Sequence, residues 1–323
     1  SINMSGIESN PGFHLNADLL TRAAYGAVFG DIFMRCIYRM RPYETEPGSV
    51  EKVHAQWLKK CQDFVSSRHL NPFTFQKMCR RMIEDFDAIP ISEIPKPRVG
   101  IVGEILVKFA PAANNHLVEL LESEGAEAVV PDLLDFMLYC FYNQIYKAEE
   151  LGTSKKNAIV SRLGIDTIEL LRATARKAFA KSKHFDPPVS IYQLVDYAKS
   201  IVSIGNQTGE GWFLTGEMVE LIHGGVNNIV CTQPFGCLPN HVVGKGVIKE
   251  LRKHYPLSNI VAIDYDPGAS EVNQLNRIKL MLSTAQKNLK KTLENEAGAE
   301  QPDTIHGAER TEPVRQRQAN QLA

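Results

Sequence analysis

The chain has 323 residues, of which 44% are hydrophobic and 23% are charged, and its formal net charge is −1. That length allows about two average domains, and the hydrophobic share excludes a wholly disordered chain. The balance of 36 basic and 37 acidic residues excludes an overall positive field, so we expect no nucleic-acid partner. No apolar run approaches the roughly 20 residues that span a bilayer and no segment resembles an export signal, so we expect a cytoplasmic protein with no membrane partner.

The first 90 residues have the pattern of a helical region. Apolar residues recur at helical spacing over residues 18–40, 49–69 and 72–86, which predicts three helices. Cys36, Cys61 and Cys79 lie on the apolar faces of these helices, where we expect buried, unreactive thiols. A proline-rich linker follows over residues 91–97.

After the linker, strand-like and helix-like segments alternate over residues 98–283. Short apolar runs bounded by Gly or Pro predict buried parallel strands at residues 98–103, 128–130, 228–231 and 260–263. Helices are predicted between and after them, capped by Asn114 or Asn115, by Thr215 and by Ser270. This alternation predicts an α/β fold with a doubly wound parallel sheet, of Rossmann or flavodoxin type, with helices on both faces.

A helical insertion, about residues 132–204, interrupts the alternation. Its first part, residues 133–146, is strongly aromatic, and its second part, residues 154–183, is a basic amphipathic segment. We expect the apolar residues of that segment to face inward, namely Ile159, Leu163, Ile168, Leu171 and Phe179. From Thr284 onward there are no aromatic residues and few large aliphatic ones, so residues 284–323 are predicted to be disordered.

Ligands of open α/β sheets bind beyond the carboxyl ends of the strands, and several loops occupy such positions here. They span residues 104–115, 131–142, 232–241 and 264–270, with a glycine-rich segment at 205–212. Gly209 and Gly211 lack the third glycine of a dinucleotide fingerprint, and no GxxxxGK[ST] motif occurs. Both glycines could still let the backbone approach a cofactor while Trp212 stacks on it. A sharp turn with Trp212 in the core is the alternative.

The segment richest in candidate ligands is 230–241, which reads VCTQPFGCLPNH. Cys231 and Cys237 lie in or just after a predicted strand, and thiolates near a helix N-terminus can ligate soft metals. The spacing also fits one buried strand-end cysteine and one incidental loop cysteine. His241 could be a ligand or a proton donor, or it could cap the next helix.

Two carboxylates are candidates for acid–base catalysis at the same edge. Glu104 follows the first predicted strand, and Glu210 lies between the two glycines. The alternative for Glu104 is a solvated or helix-capping acid. Asp264 and Asp266 follow the last strand and could bind a metal or a ribose, but Asp266 also begins a good turn sequence.

Several sequence segments between about Gly6 and Ser283, called family strings below, resemble those of one protein family. They lie at residues 6–12, 41–44, 103–109, 114–115, 131–133, 205–212, 233–241 and 264–268. On these strings the chain resembles the C-terminal region of the large 2-hydroxyacyl-CoA dehydratase activase-related proteins, a group with a domain of unknown function. The alternating part is more distantly similar to the iron–sulfur subunits of 2-hydroxyacyl-CoA dehydratases and to double-cubane cluster proteins.

The resemblance implies a 4Fe-4S or double-cubane iron–sulfur cluster held by cysteines at strand ends. Cys237 best matches the family's last cluster cysteine, and Cys231 and Cys140 are further candidate ligands. The related systems work with an ATP-hydrolysing activase that drives a low-potential electron onto the cluster. Because this chain lacks the glycine-rich phosphate motifs, we expect that it does not itself hydrolyse ATP.

Three functions follow as hypotheses. The first is an iron–sulfur component, a dehydratase (lyase) or reductase part, that transfers low-potential electrons to an acyl-CoA-type substrate or partner. The second is a non-enzymatic subunit or scaffold of a larger dehydratase–activase assembly, motivated by the aromatic residues 136–146. The third is a metal-free acyl-CoA-binding domain that uses the 205–212 loop.

Overall fold

Four strands and eleven α-helices make up the part of the chain that the computed structural model describes, residues 16–266, 268 and 270–299. The strands are β1 (Arg98–Gly103), β2 (Glu127–Val129), β3 (Asn228–Gln233) and β4 (Asn259–Asp264). The helices before β3 are α1 (Ala17–Met40), α2 (Ser49–Ser66), α3 (Pro72–Asp87), α4 (Ile105–Phe109), α5 (Leu117–Ser123), α6 (Leu133–Glu150), α7 (Lys155–Phe179), α8 (Ile191–Lys199) and α9 (Trp212–His223). After β3 come α10 (Ile248–His254) and α11 (Glu271–Ala299).

The four strands form one parallel sheet in the order β2-β1-β3-β4. The chain moves outward from β1 to β2 and then returns to the other side of β1 with β3. Alternate residues enter two cores: Val99 and Ile101 pack with α5 and α11, while Val102 and Cys231 pack with α9 and α10. The predicted doubly wound parallel sheet with helices on both faces is confirmed.

The N-terminal helices and the insertion share one core. Aromatic and aliphatic side chains of α1, α2 and α3 pack with the start of α6 and the end of α7, and Cys36, Cys61 and Cys79 are buried there. Asp31 on α1 accepts hydrogen bonds from the backbone N–H groups of Leu133 and Leu134, at 2.9 and 3.0 Å. A carboxylate from one segment therefore caps a helix of the other, so the insertion is joined to the N-terminal region rather than standing apart from it.

The aromatic stretch of α6 packs inside the protein. Tyr139 and Tyr142 lie 5.1 and 5.7 Å from the Trp212 ring, centroid to centroid, and Tyr139 lies 5.2 Å from Phe213. These edge-to-face and tilted pairs fill a core between α6, α8 and α9. Tyr139 is buried, whereas Phe136, Phe141, Tyr142 and Tyr146 are half-buried, so this core covers part of the aromatic stretch that motivated the scaffold hypothesis.

The inward face of α7 differs in part from the predicted one. Phe179 is buried, and Ile168 and Leu171 pack against the N-terminal core, as predicted. Ile159 and Leu163 are exposed, whereas Arg172 is buried. Arg172 donates to the buried carboxylate of Asp135 on α6 at 2.7 Å. The prediction for Ile159 and Leu163 is wrong because a buried arginine–aspartate pair, invisible to hydrophobic periodicity, sets the rotation of this helix.

Two helix boundaries in the structure also differ from the predicted ones. The helix α9 begins at Trp212, and Thr215 is a buried residue within it whose hydroxyl donates to the backbone carbonyl of Val243 at 2.7 Å. The last helix continues past Thr284 to Ala299, so the prediction of disorder is wrong for residues 284–299.

The chain divides into one compact unit that ends at Gln286 and a second that begins at Lys287. Residues 300–323, and the family string at 6–12, lie outside the described residues.

Candidate functional site

The crevice at the carboxyl ends of β1 and β3 is the point where the strand order reverses, and such points bind ligands in doubly wound sheets. Gly103 ends β1 with φ +143°, and a Cβ atom there would lie 1.9 Å from the carbonyl oxygen of Thr232. Only glycine allows this close approach of the two strands. The next residue, Glu104, donates its backbone N–H to Thr232 O at 3.0 Å, so the first polar residue after β1 is held against the loop that leaves β3.

One buried asparagine links the thiol of Cys231, in β3, to that of Cys237, in the loop that follows. Cys231 donates through Sγ to Asn240 Oδ1 at 3.5 Å, and Asn240 Nδ2 donates to Cys237 Sγ at 3.3 Å. Cys231 is buried and Cys237 is half-buried. Burial, with smaller contributions from Glu217 and Cys237, raises the pKa of the Cys231 thiol to about 12. Cys231 is therefore a protonated thiol at neutral pH, and Cys237 is the more accessible of the two.

Asn240 begins a π-helix, Asn240–Lys245. Short π-helical turns are frequent at functional sites. This one brings Gly244 over the Cys231 thiol, since a Cβ at residue 244 would lie 3.1 Å from Sγ. The chain therefore forms a π-turn over Asn240–Lys245 and then α10, and Gly244 of the turn lies over the Cys231 thiol.

The third predicted metal ligand, Cys140, is an exposed residue of α6. Partial burial and the nearby Glu210 carboxylate raise the pKa of its thiol. Among the described residues, no group of three or more His, Cys, Asp or Glu side chains is arranged to hold a metal ion. Cys140, Cys231 and Cys237 therefore do not form a complete ligand set in this arrangement.

The Gln233 amide orients His241. Gln233 Nε2 lies 3.2 Å from His241 Nδ1 and also donates to Asp264 Oδ1 at 2.5 Å. Because the carboxylate can only accept, the amide nitrogen faces both groups, and His241 Nδ1 accepts as well. The imidazole therefore carries its proton on Nε2. Gln233 Oε1 is buried and has no hydrogen-bond partner among the described residues, which leaves one acceptor open at the strand end.

The two candidate carboxylates meet at the start of α4. Glu104 Oε2 accepts from Val107 N at 2.9 Å, and Glu210 Oε1 accepts from Ile105 N at 3.1 Å. Glu104 is thus a helix cap, one of the two alternatives for it. Burial is the main cause that raises the pKa of Glu210, and the charge of Glu104 adds to it. Glu210 therefore holds a proton more readily than an exposed glutamate does.

The glycine-rich loop is shaped by protein contacts. A Cβ at Gly209 would lie 2.8 Å from the Pro239 ring, and one at Gly211 would lie 2.1 Å from Asn206 O. The Tyr139 hydroxyl donates to the carbonyl oxygen of Gly209 at 2.7 Å. Both glycines have positive φ, so a tight turn accounts for them.

Trp212, at the end of that loop, lies in the core. Its side chain is fully buried, and Nε1 donates to Asn143 Oδ1 at 3.0 Å. It offers no free ring face on which a cofactor could stack, so the predicted stacking role is wrong. For Asp266 the structure shows the turn that its sequence also allowed, since its carboxylate accepts from Gly268 N at 3.3 Å.

Sequence reasoning missed one buried ion pair beside the crevice. Lys108 Nζ lies 2.6 Å from Glu217 Oε1, with side chains 2% and 1% exposed. Burial raises the pKa of Glu217 to about 7, although the Lys108 charge opposes that rise. The signal was one lysine inside the apolar segment 105–109 and two glutamates inside the apolar segment 212–222, where a charged side chain is buried only if it is paired.

Comparisons with protein-family models, with curated proteins and with solved structures find no match. The structure describes no helix that is both long enough and apolar enough to cross a membrane. Proposals about activity therefore start from the geometry of the crevice and from the family resemblance of its strings.

Proposed function

We propose that this chain is an iron–sulfur component of a 2-hydroxyacyl-CoA-dehydratase-type assembly, with Cys237 as its accessible cluster ligand. The observation that supports this most directly is the position of Cys237, half-buried on the loop that leaves β3 at the reversal of strand order. Its Sγ accepts an amide N–H from Asn240, and such hydrogen bonds to sulfur tune cluster ligands. The resemblance of residues 233–241 to the family strings points the same way.

The donor set fits one ligand position of a cluster and not all four. Cys231 would have to lose its proton in surroundings that raise the pKa of its thiol to about 12, and Cys140 forms no ligand group with the other two. The proposal therefore assigns the remaining ligands to another chain of the assembly. When bound, such a cluster supplies one-electron transfer.

A partner at this position also accounts for the apolar residues beside Cys237. Phe235 and Leu238 are 79% and 68% exposed, and exposed apolar side chains next to a functional group favour a protein contact. In the proposal, an ATP-hydrolysing activase or another subunit covers this loop. The described cysteines are all free thiols, which suits the reducing cytoplasm.

The other polar residues of the crevice take distinct roles in the proposal. Glu210, whose pKa is raised by burial, is the proton donor for an acyl-CoA-type substrate. His241, with its proton on Nε2, donates a hydrogen bond to that substrate. Glu104 positions α4 through its cap. Gln233 orients the imidazole of His241 by its contacts to Nδ1 and to Asp264.

The test is iron and acid-labile sulfide analysis of the full chain purified anaerobically together with the subunits that it retains. The wild-type assembly should contain iron and sulfide, Cys237→Ser should lose them, and Cys61→Ser should keep them because Cys61 is buried in the N-terminal core. A wild-type preparation that retains no partner or no iron, or full retention of iron in Cys237→Ser, would contradict the proposal and favour metal-free acyl-CoA binding.

A further inference from the structure

The core beside the crevice encloses more carboxyl groups than cations. Asp31, Asp132, Asp135 and Glu217 are each 7% exposed or less, and Glu220, one turn beyond Glu217 on α9, is half-buried. Asp31 lies on α1, whereas Asp132 and Asp135 lie at the start of α6. We call these five groups the acid cluster. Because a buried charge is costly unless it is paired, each group needs either a cation or a proton.

Helix geometry brings the carboxyl groups of α9 to the start of α6. Phe213, Glu217 and Glu220 are spaced i, i+4 and i+7, so they lie along one stripe of α9. Phe213 packs on Phe136 of α6, with ring centroids 6.1 Å apart. Asp135 precedes Phe136 in the chain, and its charge acts on both Glu217 and Glu220. The carboxyl groups of the two helices therefore belong to one cluster.

Three cations pair with the acid cluster. The pairs, with their nitrogen–oxygen distances, are Arg35–Asp132 (2.7 Å), Arg172–Asp135 (2.7 Å) and Lys108–Glu217 (2.6 Å). Arg172 also pairs with Glu169, which in turn pairs with Arg176, so the charges of these two outer groups cancel. Five carboxyl groups against three cations leave two carboxyl groups in excess.

The unpaired oxygens of the cluster show the same excess. Asp135 Oδ2, Glu217 Oε2 and Glu220 Oε2 are all enclosed and have no hydrogen-bond partner among the described residues. An ionised carboxylate is tolerated inside a protein only when its oxygens are paired. A protonated carboxyl group carries no charge and can donate its O–H to a neighbouring carboxylate oxygen. Protons therefore resolve both the excess charge and the unpaired oxygens.

From this imbalance we infer that the acid cluster is a pH-sensitive switch, which binds two protons below neutral pH and, when it releases them, weakens the contact between α6 and α9. Release leaves two uncompensated negative charges in that contact, and like charges in a core repel strongly. The switch needs no metal and no partner chain, so it is independent of the proposed function.

The groups around the two glutamates of α9 place the release just above neutral pH. The charged and titratable groups that face these glutamates are Arg35 of α1, Lys108 of α4, Asp132 and Asp135 at the start of α6, Glu210 before α9 and the neutral Cys231 thiol of β3. Burial and the charge of Asp135 raise the pKa of Glu220 to about 8, although Arg35 opposes this rise. With the pKa of Glu217 at about 7, the protons leave as the pH rises through this interval, and the stability that they supply is lost with them.

Infrared spectroscopy of the full chain in D₂O tests the number of protons, because a protonated carboxyl group has a C=O stretching band that an ionised carboxylate lacks. At about pH 6.5, well above the usual carboxyl pKa values, the wild type should show a band equivalent to about two carboxyl groups. The band should fall as the pH rises through about 7 to about 8. Absence of the band from the wild type at about pH 6.5 would overturn the inference, since the cluster would then be fully ionised.

Variants should change this band by about one carboxyl group at a time. Glu220→Gln should halve it, because four carboxyl groups would face three cations, and the double variant Glu217→Gln with Glu220→Gln should lose it. Lys108→Met should raise it by about half, because one more proton replaces the lost cation. Glu250→Gln, in an exposed pair with Lys253, is the matched control and should leave the band unchanged. A double variant that keeps the full band would place the protons elsewhere and overturn the assignment.

The indole of Trp212 reports on the contact between α6 and α9. Its fully buried Nε1–H donates to Asn143 Oδ1 of α6 at 3.0 Å, so hydrogen exchange at Nε1, followed by NMR, measures the opening of this contact. Between about pH 6 and about pH 8.5, exchange in the wild type should accelerate at least about tenfold more than in the double variant, whose cluster carries balanced charges throughout. Equal acceleration in the two proteins would overturn the switch.

Discussion

Replacing Lys108 with Met should make the stability of this protein strongly dependent on pH. Lys108 and Glu217 are both almost fully buried, and Nζ lies 2.6 Å from Oε1. Glu217 Oε2 is buried with no partner among the described residues. Lys108 is therefore the main group that stabilises the ionised form of this carboxyl, while burial opposes that form.

The direction of the pH dependence follows from the raised pKa of Glu217. Its pKa is about 4.5 in an exposed setting and about 7 in the fold, so the folded chain binds the proton more tightly. The contribution of Glu217 to wild-type stability should therefore be greatest below about pH 4.5 and fall by about 3 kcal/mol as the pH rises through that interval. In Lys108→Met the pKa of Glu217 rises further, so stability continues to fall above pH 7.

The assay is urea unfolding near pH 5.5 and near pH 8.5. Near pH 8.5 the variant should lose about 3–5 kcal/mol relative to wild type, the cost of breaking a buried ion pair. Near pH 5.5, where Glu217 is protonated in both proteins, the loss should nearly vanish. The double variant Lys108→Met with Glu217→Gln should recover most of the stability near pH 8.5.

The control is Lys253→Met, which removes an exposed lysine from its pair with Glu250 and should cost under about 1 kcal/mol at either pH. The reasoning is refuted if Lys108→Met destabilises equally at both pH values, since the cost would then come from lost packing and not from an ionised Glu217.

Two further predictions concern stability. Gly103→Ala should destabilise by about 3 kcal/mol or more, because its Cβ would overlap the Thr232 carbonyl at φ +143°; Gly125→Ala, at φ +80° with open space around it, should lose only about 1 kcal/mol in the same urea titration. Cys61→Ser should lose about 1–3 kcal/mol because it buries a hydroxyl in an apolar core, whereas Cys237→Ser should stay within about 0.5 kcal/mol of wild type; equal losses would show that the Cys237 loop is as closely packed as the core.

The local pattern of the sequence was enough to predict most elements of this fold. Each strand was predicted to within two residues of its observed bounds, because each is a short apolar run ended by Gly, Pro or a polar residue. The helices α1 and α3 begin at caps supplied by Asn16 and Asn71. The burial of Cys61 also followed from its place on an apolar helix face. The helix α4 was missed because its five residues are too few to show a helical period.

The tertiary structure alone decided the composition of the crevice and the faces of the insertion. Cys237 meets Cys231 through Asn240, and Lys108 pairs with a glutamate 109 residues away. Hydrophobic periodicity indicates that a side chain is apolar or charged, but not which distant residue will pair with it. The same limit applies to α7, where Arg172 is buried beside Asp135 while Ile159 and Leu163, on the other side of the helix, are exposed. A buried charge is tolerated only beside its partner, and the sequence pattern does not show that partner.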